Sequence, residues 1–271
     1  TEIDRGRKKA AFEAVQKALR LAANAPEQER AYIEALAKRF SPDAQADSKK
    51  LAVDYKNAMN GLVKRYPDDL DAATLYADSA MILNAWKLWT ADGKPAEGTE
   101  EIVAVLESVL ARDPNHIGAN HFYIHAVEAS PRPERALPSA DRMALLTPAA
   151  GHLVHMPAHI YMRIGDYEAA AKSNDLAAKA DRAYFESVGA NSLYAAFYYS
   201  HNLHFLAAAR SMQGRYTDAK RAAVQLENNV RPFVKDLPML DAFMPTSTFL
   251  MVRFRRWDDI LKTPEPDREM I

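Results

Sequence analysis

The feature that most constrains this chain is how its prolines are spaced and what lies between them. Pro114 and Pro148 stand 34 residues apart, in "RDPNHIGAN" (112–120) and "LTPAAGHLV" (146–154). Each closes one apolar-periodic stretch and opens the next, because proline lacks the N–H that a continuing helix needs. "RYPDDLDAA" (65–73) does the same upstream. Two helical stretches, 117–130 and 133–146, fill the interval, and a second pair follows at 151–164 and 166–184. A helix pair repeated at such a period cannot bury its apolar faces alone. It must stack on its neighbours, which is the mark of a solenoid.

Composition agrees. Apolar residues are 48% of 271, and glycine occurs only nine times. Runs with period two are scarce and the apolar period is helical almost throughout, so the expectation is an all-α fold. The 35 basic and 36 acidic residues nearly cancel. That argues against a nucleic-acid binder working through bulk charge. No apolar run approaches the roughly 20 residues a membrane helix needs. There is no cysteine, which rules out disulfides and thiolate metal sites. The expectation is a soluble protein, cytoplasmic, or periplasmic if an upstream signal has been removed from before Thr1.

"RIGDYEAAAKSNDLAAKAD" (163–181) and "MQGRYTDAKRAAVQLE" (212–227) resemble tetratricopeptide repeats, with a Gly-x-Tyr turn followed by a small-residue second helix. "SPRPERALPSADRMALLTP" (130–148) is a less standard copy, and "RRWDDILK" (255–262) echoes the turn. Weaker helical units occupy 3–23, 29–40, 47–66, 69–86 and 99–112, and a last one lies near 240–262. Together with "HFYIHAVEAS" and "GHLVHMPAHIY", the set is also similar to a group of bacterial tetratricopeptide proteins. The resemblance implies a right-handed superhelical α-solenoid of helix pairs. It would be one domain over 1–271, with its clearest repeats at 116–230 and divergent repeats at 1–112 and 237–262. Residues 87–98 and 183–199 read as insertions, each either a tolerated surface loop or part of a binding face.

All eight histidines fall between 116 and 204. His121 and His125 lie 7 and 11 residues after Pro114; His155 and His159 lie 7 and 11 after Pro148. His201 and His204 precede Gly214 by 13 and 10 residues, as His152 and His155 precede Gly165. Only His116 stands outside this scheme. At about 100° per residue, His121, His125 and Glu128 share an arc of about 60°. His152, His155, His159 and Met162 share one of about 80°, away from Val154, Pro157, Ala158 and Tyr161, which read as core. By the resemblance, such first helices line a concave groove.

Histidines at i and i+4 share a helix face and can chelate one ion. The candidate metal ligands are therefore His121, His125, His155 and His159, with His152, His201, His204 and Glu128 completing or orienting a site. A nitrogen-rich set without thiolate suits zinc, copper, iron or nickel. HExxH is absent, as are a Ser-His-Asp set and a Gly-rich phosphate loop. Tyr198, Tyr199, Asn202, Trp86 and Trp89 either line the groove or pack between helices. Pro157 bends its helix or sits in a first turn. Two function classes stay open. One is a metal-binding solenoid, a metalloenzyme if a coordination position is free for a small molecule or peptide. The other is a scaffold without catalysis that binds a peptide or protein partner in the groove.

Overall fold

Helices start where a short polar side chain can take up free backbone N–H groups. In the computed structural model of the chain, Asp47 accepts from the N–H groups of Lys49 and Lys50, Asp69 from Ala72 and Asp166 from Ala169. Each satisfies donors that a first turn leaves open. The structure describes residues 2–43, 45–189 and 192–264. Among them the protein is all-α, with one isolated bridge from Trp89 to Pro95 and no sheet. No described helix is long and apolar enough to cross a membrane.

The chain divides into two compact units, Thr1–Pro131 and Arg132–Ile271. The first holds α1 (Glu2–Leu21), α2 (Glu27–Ala37), α3 (Ser48–Arg65), α4 (Leu70–Leu83), α5 (Thr99–Arg112) and α6 (Ile117–Val127). The second holds α7 (Leu137–Leu146), α8 (Gly151–His155), α9 (Pro157–Ile164), α10 (Tyr167–Val188), α11 (Ser200–Met212), α12 (Tyr216–Val230), α13 (Thr246–Arg253) and α14 (Trp257–Leu261). Within each unit a helix packs chiefly on the next one in sequence. In the first, Tyr55, Met59 and Leu62 of α3 meet Ala35 of α2 and Ala72 and Tyr76 of α4. In the second, alanines dominate: Ala170, Ala171 and Ala178 of α10, Ala207 and Ala209 of α11, Ala219, Ala222 and Ala223 of α12. Small side chains let these three helices approach closely.

The turn echoed in the sequence is one geometry in three copies. Gly165, Gly214 and Arg255 take left-handed backbone, with φ of 86°, 76° and 54°. In each case the next N–H reaches back five residues, from Asp166 to Tyr161 (2.9 Å), Arg215 to Arg210 (3.0 Å) and Arg256 to Met251 (2.8 Å). This closes the preceding helix with the 6→1 bond that a left-handed residue permits. Glycine adopts that φ without a Cβ clash; Arg255 adopts it at a cost.

The insertions are specific. In 87–98, Leu88 is buried, its carbonyl accepts from Thr99 Oγ1 (2.8 Å), and Trp89 Nε1 donates to Ala126 O (2.7 Å). The loop is bound to its own unit. Trp89 anchors it, whereas Trp86 stays 88% exposed with φ 62°. In 183–199, α10 continues to Val188 and a π-helical turn, Ala195–Tyr199, leads into α11. Residues 190 and 191 of that insertion, and 265–271 of the charged tail, lie outside the described residues. The unit read near 240–262 is a 3₁₀ turn, Pro238–Phe243, followed by the short α13 and α14.

Candidate metal centre

His155 and His159 sit on either side of Pro157. That proline cannot donate to the carbonyl four residues back, so α8 stops at His155 and α9 starts at Pro157. Met156 between them keeps helical backbone, φ −49° and ψ −40°. Pro157 is thus a first-turn proline, where the missing N–H costs little. The two imidazoles, one turn apart, bring their Nε2 atoms to 2.9 Å.

The third imidazole comes from 42 residues further on. His201, on the first turn of α11, places its ring 4.7 Å from that of His155 and 5.6 Å from that of His159. One ring nitrogen from each of the three lies within 4.8 Å of the other two. Phe205, one turn beyond His201, packs on all three rings at 4.6–4.9 Å between centroids.

The wheel placed His155 and His159 off the core stripe. The structure buries both, at 0% and 6% exposure, and leaves His201 partly exposed. Helices α7 and α10 pack on α8–α9, and the rings of His201 and Phe205 from α11 lie against His155 and His159, so the polar arc is covered as well as the apolar one. Met156 and Ile160 are also fully buried.

Burial sets the protonation chemistry. Asn174, on α10, donates through Nδ2 to Ala170 O (2.8 Å), which turns its Oδ1 toward His155. His155 Nδ1 stands 2.7 Å from that oxygen. An amide oxygen only accepts, so Nδ1 carries the proton and Nε2 presents its lone pair to His159. Desolvation holds the His155 imidazole well below the usual histidine range, and repulsion from His159 and His201 adds to it, against the opposing bond to Asn174. A neutral imidazole with a fixed tautomer is the form that binds metal.

The set passes a test of fit. Two nitrogens on one tetrahedral zinc, each about 2.0–2.1 Å from it, are about 3.3 Å apart. The 2.9 Å between the Nε2 atoms must therefore open by a few tenths of an ångström, and His201, whose nitrogen lies within 4.8 Å of the others, must close by at most about 1.5 Å. Rotation about side-chain torsions supplies both.

The remaining candidates are distributed as follows. His152 lies beside the triad, its ring 6.2 Å from that of His155 and edge-on to Tyr198 at 4.7 Å. His204 is exposed, with its ring 5.3 Å from that of Phe243, and belongs to no three-ligand group among the described residues. In the first unit, the His121 ring stands 5.1 Å from the His125 ring. His125 Nδ1 meets Glu128 Oε1 at 2.9 Å, so Glu128 orients that imidazole. Trp86 approaches His125 edge-on at 6.2 Å. His116, outside the repeat scheme, caps α6: its Nδ1 accepts from Ala119 N–H (3.1 Å) and its Nε2 faces Asp71 Oδ1 (3.2 Å). Tyr199 packs edge-on to Phe185 at 5.4 Å.

Sequence reasoning missed Asn174, Asp181, Tyr194 and Phe205. Asp181 is 1% exposed and accepts from Tyr194 OH and Asn202 Nδ2, each at 2.7 Å. Burial pushes its carboxyl above the ordinary range, against both hydrogen bonds. Burial first, and then the facing carboxylate, pushes the Tyr194 hydroxyl well up. A signal was present. Residues 170, 171, 173, 174, 177, 178 and 181 form one buried face of α10, and Ser173, Asn174 and Asp181 are the polar members of an alanine stripe. Compared with known proteins, no family model matches the chain, and no curated protein matches it.

Proposed function

We propose that the second unit holds one transition-metal ion on His155, His159 and His201, within tetratricopeptide-type helix pairs stacked as a solenoid. The convergence of three ring nitrogens within 4.8 Å carries this reading. Neighbour-on-neighbour helix packing and the thrice-repeated turn support the solenoid. Nitrogen-only ligands suit zinc, copper, nickel or iron. Three protein ligands leave a fourth position for water or substrate, as in catalytic rather than structural zinc sites. Access is from the His201 side, because that imidazole is the one partly exposed. A metal held there by His155, His159 and His201 would supply Lewis-acid chemistry to a small molecule or peptide.

Elemental analysis of untagged protein tests this. The expected result is about one metal per chain, lost in the double variant His155→Ala/His159→Ala. At a free metal concentration 100 times Kd, the ion stabilises the native state by about 2.7 kcal/mol, so a chelator lowers Tm. Protein that carries no metal, and takes up none below micromolar concentration, ends the reading. The bonds from Asn174 to His155 to His159 would then be a structural chain, and a peptide-binding scaffold would be the better account.

A further inference from the structure

Three ligands from two separate stretches need something to set the distance between them. His155 and His159 belong to α8–α9 and His201 to α11, and α10 packs against both stretches. Asp181 stands on α10 and bonds toward both. Its Oδ1 accepts from Tyr194 OH (2.7 Å), and that hydroxyl oxygen accepts from the backbone N–H of His152 (3.2 Å). Its Oδ2 accepts from Nδ2 of Asn202, the neighbour of His201 (2.7 Å).

The carboxylate is also pressed against the backbone of α8. A Cβ at position 151 would lie 1.9 Å from Asp181 Oδ1 and 2.4 Å from its Cγ. Gly151 is therefore required by close approach, not by an unusual φ. On the other side, Asn202 commits its amide to Asp181 although its own Oδ1 is buried with no hydrogen-bond partner among the described residues. An unsatisfied buried acceptor costs about 1–3 kcal/mol. Reversing the amide would set oxygen against carboxylate, which costs more.

We infer that Asp181 is the positioning residue of the histidine centre, tethering the α8 backbone through Tyr194 and Gly151 and the start of α11 through Asn202. This rests on the metal reading above. Asp181 acts on imidazole spacing through these partners, as outer-shell groups do at metal sites, where their removal typically costs 10–100-fold in affinity.

Co2+ is the probe, because its visible absorption reports coordination geometry while titration gives Kd. In Asp181→Ala, Co2+ affinity falls 10–100-fold and the visible band changes, with far-UV circular dichroism of the metal-free protein unchanged. Tyr194→Phe removes one oxygen and loses at least threefold. Gly151→Ala matches Asp181→Ala in the natural background but adds nothing in the Asp181→Ala background, since the clash is gone; such coupling is the signature of direct contact. Affinity within twofold of the natural protein and an identical band in Asp181→Ala overturn the inference and leave the metal reading standing. If Asp181→Ala does not fold, Tyr194→Phe decides by the same criterion. Natural protein that binds no Co2+ removes both.

Discussion

His121/His125 and His155/His159 stand at the same spacing, 7 and 11 residues, after Pro114 and Pro148, and their surroundings differ. In the first unit, both imidazoles are partly exposed, and His125 leans on the Glu128 carboxylate of its own chain turn. In the second, both are buried, His155 is held by a neutral amide from α10, and the two Nε2 atoms bond to each other. His201 from α11 then adds a third ring. An HxxxH spacing brings two nitrogens to one face, which is a property of the helix. Whether they form a centre depends on what the next helices supply. A local glutamate orients one imidazole; neighbouring helices fix the tautomer, bury the pair and contribute another imidazole.

The sharpest way to break the comparison is to remove each pair in turn. His155→Ala/His159→Ala abolishes stoichiometric metal uptake, a loss of more than about 1,000-fold for two of three nitrogen ligands. His121→Ala/His125→Ala leaves the second-unit site within about tenfold. Titration with Zn2+ or Co2+ reads both, and equal losses would show that the two pairs are equivalent.

Next in size is the effect on metal-free stability. Asn174→Ala strands the buried Nδ1–H of His155 and costs about 1–3 kcal/mol. Glu128→Ala removes a carboxylate from a partly exposed pair and costs less than about 1 kcal/mol. Urea denaturation of both variants in chelator checks the order.

Acid then separates two buried groups of the second unit by sign. The folded-state value of His155 lies below its unfolded value near 6.5, so the unfolded chain binds the proton more readily. Metal-free stability is therefore full above about pH 6.5 and falls as the pH drops below it, by up to about 1.4 kcal/mol per unit. Asp181, raised by burial, works in the opposite sense as the pH nears the carboxylate range. The window for His155 is thus about pH 5–6.5. Desolvation lowers His204 too, so denaturation midpoints across it should slope for the natural protein and less steeply for His155→Gln; an unchanged slope would locate the proton uptake elsewhere.

The smallest expected effect concerns the third copy of the turn. Arg255→Gly relieves a left-handed residue that the other two copies fill with glycine, and raises Tm by about 2 °C. Gly165→Ala or Gly214→Ala lowers it by more, because glycine is already in place there. Thermal melts of the three variants rank the turns.

Much of this was legible in residue order. The caps at Asp47, Asp69 and Asp166, the closing turns at Gly165 and Gly214, and the helix pairs follow from rules acting within a few residues. So does the placement of His155 and His159 on one face. The burial of that face was not legible, because a wheel treats a helix as having one covered side, and α8–α9 is enclosed on more than one. His116 was legible as an outlier but not as a cap, since the Nδ1 bond to Ala119 depends on a side-chain torsion.

Residue order by itself determined an all-α chain of successive helices, with imidazoles recurring at a set spacing, because helical period and turn chemistry are local. Only the tertiary structure decided which imidazoles converge. His201 reaches His155 and His159 across 42 residues because the alanine face of α10 lets its neighbours approach closely, and Asn174 and Asp181 interrupt that face at the two points where the histidine-bearing helices are held. Such distances come from side-chain volumes packed in three dimensions, which no period along the chain encodes.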